Sequence, residues 1–351
     1  MCSRSKHHRL AVRIPEILAG HLGVSLDDVE VRLDDTSGAD FVIEAAGQTL
    51  VVEFIKSTSA ALISAAARKL QGCAKRLRPN AVPLVAVPFM GNAGRRACDE
   101  AGVGWLDLSG NARIVAGGTR IIIAGRPNCF RSVGRPPNLF APKSSRIVRW
   151  LLMHSERSIT QREIARSTAM DEGFVSRIVS RLERDGYIVR DSGRAVRSRD
   201  PALLLEAWRE AYMFSKHAVH QGHVASRSGD ALLRFVCDTL QVQQVGHAAT
   251  GLAAAWVYLH FATFRIVTVY LSSDPSPMLL EQLGCREDPR GVNLWLVVPN
   301  DEGVFHGALE KDGICCVHPV QAYLDLKDHP ERAPETADRL RGEFLNWRRD
   351  G

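Results

Sequence analysis

Residues 158–196 read SITQREIARSTAMDEGFVSRIVSRLERDGYIVRDSGRAV. Thr160 with Glu163 three positions on forms a capping box, which opens a short helix burying Ile164 and Ala165. A four-residue break at 167–170 follows, and Asp171 is placed to cap the next helix. In that helix Val175, Ile178, Val179 and Leu182 recur at i, i+3, i+4 and i+7, so one stripe faces a core. At about 100° per residue, Ser176, Arg177, Ser180, Arg181 and Arg184 fall on the other side. Asp185-Gly186 stops the helix. Residues 187–190 and 194–196 then alternate as two short strands around the turn Asp191-Ser192-Gly193. With a preceding helix at 146–154, the order predicts a winged helix-turn-helix over residues 144–200.

Such a helix suits the major groove, where arginines reach guanine edges or phosphate and serines permit close approach. Base contacts are expected from Ser176, Arg177, Ser180 and Arg181. Phosphate contacts are expected from Thr160, Gln161, Arg162, Arg184, Arg194 and Arg197. The chain carries net charge +6, and residues 144–199 hold twelve arginines against seven acidic residues, an excess of +5. That concentration attracts a phosphate backbone. Winged helices also dock proteins, so a pure interaction module is the competing expectation.

The 351 residues, 45% hydrophobic and 24% charged, fit a globular chain of two or three domains. No run approaches membrane-spanning length and the first residues lack the apolar core of a signal peptide, so the cytoplasm is the expected compartment and no membrane partner is expected. The eight cysteines contain no Cys-x-x-Cys pair. Neither a disulfide framework nor a zinc site is indicated, and no cofactor or metal is expected.

Composition divides the chain into residues 1–130, a Pro-, Asn- and Ser-rich linker at 131–143, the winged helix at 144–200, and residues 201–351. The fold class expected is therefore α/β multidomain. In the first region, alternation at 40–43 and 50–55 about Gly47 suggests a hairpin. A helix at 59–78, a buried strand at 82–89, a short helix at 93–101 and three further strands follow. Helix, hairpin, helix and strand in that order resemble the restriction-endonuclease-like core, whose signature is Asp followed by Glu-x-Lys around a divalent metal. Asp40 and Glu53 stand at corresponding places, but Lys56 gives Glu-x-x-Lys, and on a strand of period two Glu53 and Lys56 point to opposite faces. The domain is expected to be a scaffold without catalysis, and a metal-dependent nuclease targeted by the winged helix is the alternative. Asp107 and Asn111 are read as turn-forming residues.

The segment AGVGWLDLSGNARIV (101–115) resembles a Gly-x-x-Tyr-hydrophobic-Asp-x-x-Gly-Asn segment of AbiEi-type regulators, with Trp105 where tyrosine is more usual. FAPKSSRIVRWLL, LLLEAWREAY (203–212), VGHAATGLAAAWVYL (245–259) and HPVQAYLDLKDHPERAPETADRLR (318–341) are similar to the same family, in the same order. The resemblance implies an autorepressor and antitoxin of a type IV toxin–antitoxin system, with operator duplex DNA and either a toxin or a second copy of the chain as partners.

The last region is expected to be an α+β domain, loosely similar to a nucleotidyltransferase fold, for sensing, docking or dimerisation. Helices are expected at 203–212 and 230–240, a small-residue helix through GHAATGLAAAW, and strands at 265–271 and 293–299. The paired Asp-x-Asp that a transferase uses for two metals is missing after residue 271. Tyr323, Leu324 and Leu326 are read as core, and His247 and His318 as packing or turn residues.

Overall fold

Helix α1 (Arg13–Leu22) buries Ile14, Leu18 and Ala19 on one face. The structure, a computed structural model, describes residues 13–33, 39–77, 80–116, 118–130, 139–261, 263–286 and 291–347. They form two compact units, Met1–Pro136 with Glu183–Tyr187 and Pro137–Leu182 with Ile188–Gly351. Residues 131–138 of the expected linker lie outside the described residues.

In the first unit β1 (Glu30–Leu33), β2 (Phe41–Ala45) and β3 (Gln48–Phe54) form an antiparallel meander. Ala46 and Gly47 between β2 and β3 take φ of 49° and 71°, the two left-handed positions of a tight hairpin turn. Helix α2 (Ala60–Leu77) leads to β4 (Val82–Val87), and α3 (Asn92–Glu100) leads to β5 (Gly104–Asp107), giving parallel pairs β3–β4 and β4–β5. Strands β6 (Ala112–Ala116) and β7 (Thr119–Ile123) return antiparallel and complete a seven-stranded sheet in chain order. The central strands are apolar on both faces. Leu50, Val52, Leu84 and Ala86 pack with Ile14 and Leu18, while Val51, Val85 and Val87 pack with Ile63, Ala67 and Leu70. That division follows from the period of two along a strand.

Asp107 and Asn111 are fully buried, and their bonds are structural. Asp107 Oδ1 accepts from the Ser109 and Asn111 amides at 3.0 Å, and Oδ2 from the Met90 amide at 3.1 Å. Asn111 Nδ2 donates to Asp107 Oδ2 at 2.9 Å, and its Oδ1 accepts from the Arg126 amide at 2.8 Å. The pair closes the β5–β6 turn.

The second unit opens with α4 (Pro142–Met153), α5 (Gln161–Thr168), α6 (Glu172–Arg184), whose last two residues count with the first unit, and the hairpin β8 (Ile188–Arg190) with β9 (Val196–Ser198). Helix α4 starts at Pro142, two residues before the boundary expected from sequence. Helix α7 (Pro201–Ala211) is capped by Asp200, whose Oδ1 accepts from the Leu203 amide at 3.0 Å. Then follow β10 (Ala218–Gly222), α8 (Gly229–Val242), β11 (His247–Thr250), α9 (Gly251–Leu259), β12 (Val267–Leu271), α10 (Pro277–Gln282), β13 (Leu294–Val298), β14 (Leu309–Lys311), β15 (Ile314–Cys316), α11 (Pro319–Asp325) and α12 (Ala333–Phe344). The strands form a six-stranded mixed sheet in the order β10-β13-β12-β11-β15-β14. GHAATGLAAAW is thus not one helix. Residues 247–250 are a central strand, and Gly251, with φ of 58°, turns the chain into α9. Tyr323, Leu324 and Leu326 are buried, and His318 caps α11 through Nδ1, which accepts from the Val320 amide at 3.1 Å. The chain is mixed α/β with several sheets, and the winged-helix region lies midway along the sequence. No helix among the described residues is long and apolar enough to cross a membrane.

Candidate nucleic-acid interface

The turn between α5 and α6 is set by side chains the sequence places at helix ends. Thr160 Oγ1 accepts from the Glu163 amide at 3.2 Å, satisfying one of the donors a helix N-terminus leaves over. Helix α5 ends at Thr168, Ala169 takes the left-handed φ of 52°, and Asp171 Oδ1 accepts from the Phe174 amide at 2.9 Å to start α6. Ile164 and Ala165, Val175, Ile178, Val179 and Leu182, Ile188 and Val196 are buried, as are Ile147, Val148, Leu151 and Leu152 of α4.

On α6 the buried residues occupy an arc of about 100°, and Ser176, Arg177, Ser180, Arg181 and Arg184 an arc of about 140° centred opposite it. Arg177, Ser180 and Arg184 are exposed; Ser176 and Arg181 are half-buried. The Arg177 guanidinium lies 5.9 Å from the centroid of the Phe174 ring, which steadies it without occupying its donors. Thr160 and Arg162 are exposed at the start of α5. Arg162 Nε stands 3.6 Å from Glu172 Oε1, a solvated pair of little strength.

The wing differs in detail from the sequence expectation. Its strands pair Ile188 with Ser198, Val189 with Arg197 and Arg190 with Val196, so the loop is 191–195 rather than three residues. Arg194 belongs to that loop, with φ of 63°, and not to the second strand. The reason is Asp191, whose Oδ1 accepts from the Ala195 amide at 2.9 Å and whose carbonyl accepts from the Arg194 amide at 3.1 Å. Arg194 is exposed at the tip, and Arg197 is exposed on β9 between buried Val196 and Ser198. Gln161, with its amide oxygen turned to Arg190, accepts from Nη1 and Nη2 at 2.9 and 3.0 Å. Gln161 therefore orients Arg190, a cation that the strand alternation alone did not single out. Arg166 and Arg199 are also exposed.

Two of the arginines counted towards the basic patch do not serve it. Arg146 and Arg149 are 8% and 2% exposed on α4. Arg146 binds Asp301 through Nε at 2.7 Å and Nη2 at 2.9 Å, and Glu302 through Nη1 at 3.0 Å. Ten arginines against seven acids remain in residues 144–199, an excess of +3 rather than +5.

In the first unit, Glu53 meets a lysine, but not Lys56. Lys69 of α2 donates to Glu53 Oε1 and Oε2 at 2.8 and 2.9 Å, while Lys56 is exposed beyond the end of β3. Asp40 Oδ2 accepts from the Phe54 amide at 2.8 Å. Among the described residues no group of three or more His, Cys, Asp or Glu side chains is placed to hold a metal.

Three helices, a capped turn and a basic two-stranded wing define a winged helix-turn-helix domain. Residues 141–198 match the MarR family, which supports a DNA-binding transcriptional regulator. No curated protein and no solved structure matches the chain.

Proposed function

We propose that this chain is a sequence-specific regulator that lays α6 in the major groove of an operator and rests its wing on the flanking backbone. The observation that carries this reading is the α6 face of Ser176, Arg177, Ser180, Arg181 and Arg184, set opposite the buried stripe. Ser176, Arg177, Ser180 and Arg181 read base edges; Thr160, Arg162, Arg184, Arg194 and Arg197 contact phosphate; Gln161 acts through Arg190. Replacement of Arg177 by alanine should weaken operator binding by about 1–3 kcal/mol and relax preference at one base pair. The test is competition binding over a randomised duplex library. Unchanged affinity and unchanged preference would remove α6 from the groove.

The resemblance of the ordered segments to AbiEi-type regulators supports a narrower reading, an autorepressing antitoxin. It predicts that the promoter upstream of this gene is bound and that co-expression relieves the toxicity of a neighbouring gene product. A second reading, a metal-dependent nuclease, is favoured by one observation, the acidic Glu53 with Lys69 near Asp40. Incubation of plasmid with magnesium or manganese, wild type beside Glu53→Ala, separates the two. Cleavage that needs both metal and Glu53 would favour the nuclease.

A further inference from the structure

Strand β1 is an outer strand of the seven-stranded sheet, and each of its four residues is exposed. Val31 lies opposite Ile43 and Leu33 opposite Phe41, on the side of the sheet that Ile14 and Leu18 of α1 cover. Even so, Val31 and Leu33 are 45% and 75% exposed. Glu30 and Arg32 point to the other side and meet each other at 2.6 Å as a solvated pair of little strength. Val29, just before the strand, is extended, with φ of −105° and ψ of 103°, and packs against the same core as Phe41. Residues 29–33 contain no proline and no lysine, two of the devices by which natural sheets blunt an open edge.

We infer that β1 is a docking edge for β1 of a second copy of this chain, running antiparallel about a two-fold axis at Val31. The register follows from parity and charge. A two-fold axis normal to the sheet keeps each face on its own side, so a slip by one residue would set apolar against charged side chains. Centring on Glu30 or on Arg32 places like charges directly opposite, which is destabilising. An axis at Val31 pairs all of residues 29–33. It sets Glu30 opposite Arg32 of the second copy twice, Val29 opposite Leu33 twice, and Val31 opposite itself. The other outer strands of the two large sheets lack this self-complementarity. Strand β7 carries Arg120 and no acid, β10 carries neither acid nor Lys or Arg, and β14 has Glu310 at its own centre. Pairing an edge with its own copy also closes the assembly, whereas β1 against β7 would continue from copy to copy. Two chains so joined carry two copies of α6, so the operator would hold two half-sites, a consequence that rests on the DNA-binding reading.

Five residues a side is well below the roughly 20–30 of a stable interface, so the pairing is weak and should be half-complete on the order of 100 µM. The test needs no DNA. Sedimentation equilibrium of the full chain, from about a hundredth of that concentration to about five times it, should show the mean mass rising from one chain towards two. Arg32→Glu makes both charges of β1 acidic and Glu30→Arg makes both basic, so each variant alone should stay monomeric throughout. Both positions are exposed, and each variant should keep the far-ultraviolet dichroism of the wild type. An equimolar mixture of the two should associate again, because an acidic strand then faces a basic one at both positions. A wild type that is monomeric throughout overturns the proposal and leaves the edge to a strand of a different protein. A dimer that survives Arg32→Glu, or a mixture that stays monomeric, overturns it as well. A mass that climbs past two chains overturns the two-fold closure.

Discussion

Asp301→Ala is the substitution whose consequence the structure specifies most fully. Asp301 and Arg146 have side chains 8% and 10% exposed and meet through two charge-assisted bonds of 2.7 and 2.9 Å. Removing the carboxylate leaves a buried guanidinium whose remaining ionic partner among the described residues is Glu302, itself 73% exposed. Orphaning one member of a buried pair costs about 3–5 kcal/mol. Glu302 retains part of that, and loss of the bond from the Gly303 amide adds about 1 kcal/mol, as for a helix cap. The expected destabilisation is about 3–4 kcal/mol. Urea unfolding should show it as a fall in the midpoint at unchanged slope. Arg146→Met in the Asp301→Ala background should then recover at least half, because no buried charge is left unpaired. A loss below about 1 kcal/mol, or a double variant no better than the single, would show that the pair behaves as an exposed one. Fastening of α4 to the 301–305 turn would then lie elsewhere.

Further expectations concern pH, the β5–β6 turn and the wing. Burial, with the charge of Arg149, holds His217 and His318 near 4, so both favour the neutral form when folded. The stability they contribute is complete above the unfolded value of about 6.5 and is lost as pH falls through that value towards 4. Asp325, pushed up to about 6 by burial, has the opposite sign: it penalises the fold at neutral pH and is relieved as pH falls through 6. Two histidines outweigh one aspartate, so urea midpoints should fall between pH 7 and pH 5 by about 2 kcal/mol equivalent; a rise would mean the histidines are not the dominant groups. Asp107→Ala should destabilise the first unit by about 3 kcal/mol, read as earlier unfolding and faster amide exchange at Met90 and Asn111, because three amides lose their acceptor. Arg194→Ala should weaken all duplex sequences alike and lower the slope of log affinity against log salt by about one, measured by anisotropy titration. A sequence-selective loss would place Arg194 on a base.

The helix-turn-helix was legible because its determinants are local. Thr160, Asp171 and the Val175–Ile178–Val179–Leu182 stripe act within one or two helical turns, and each takes the place its spacing dictates. The Ala46-Gly47 hairpin and the Asp107–Asn111 turn were readable for the same reason. What the sequence concealed depends on partners far along the chain. Arg146 and Arg149 look like solvated cations until Asp301 and Gln321, more than 150 positions away, are brought to them. Lys69 reaches Glu53 from a helix 16 residues on, which no strand motif anticipates. Residues 247–250 are helix formers by composition, yet pairing with β12 and β15 makes them the middle of a sheet. Tertiary pairing overrode local propensity there.

The central claim is that the outward face of α6 holds duplex DNA. Its most direct measurement is anisotropy titration of the duplex upstream of this gene against wild type and Arg177→Ala/Ser180→Ala/Arg181→Ala over a series of salt concentrations. The account predicts that the wild type prefers this duplex to a scrambled one at every salt concentration, and that the triple variant binds both equally while keeping a salt-dependent backbone affinity. Equal preference in wild type and variant, or no affinity for any duplex at low salt, would contradict it.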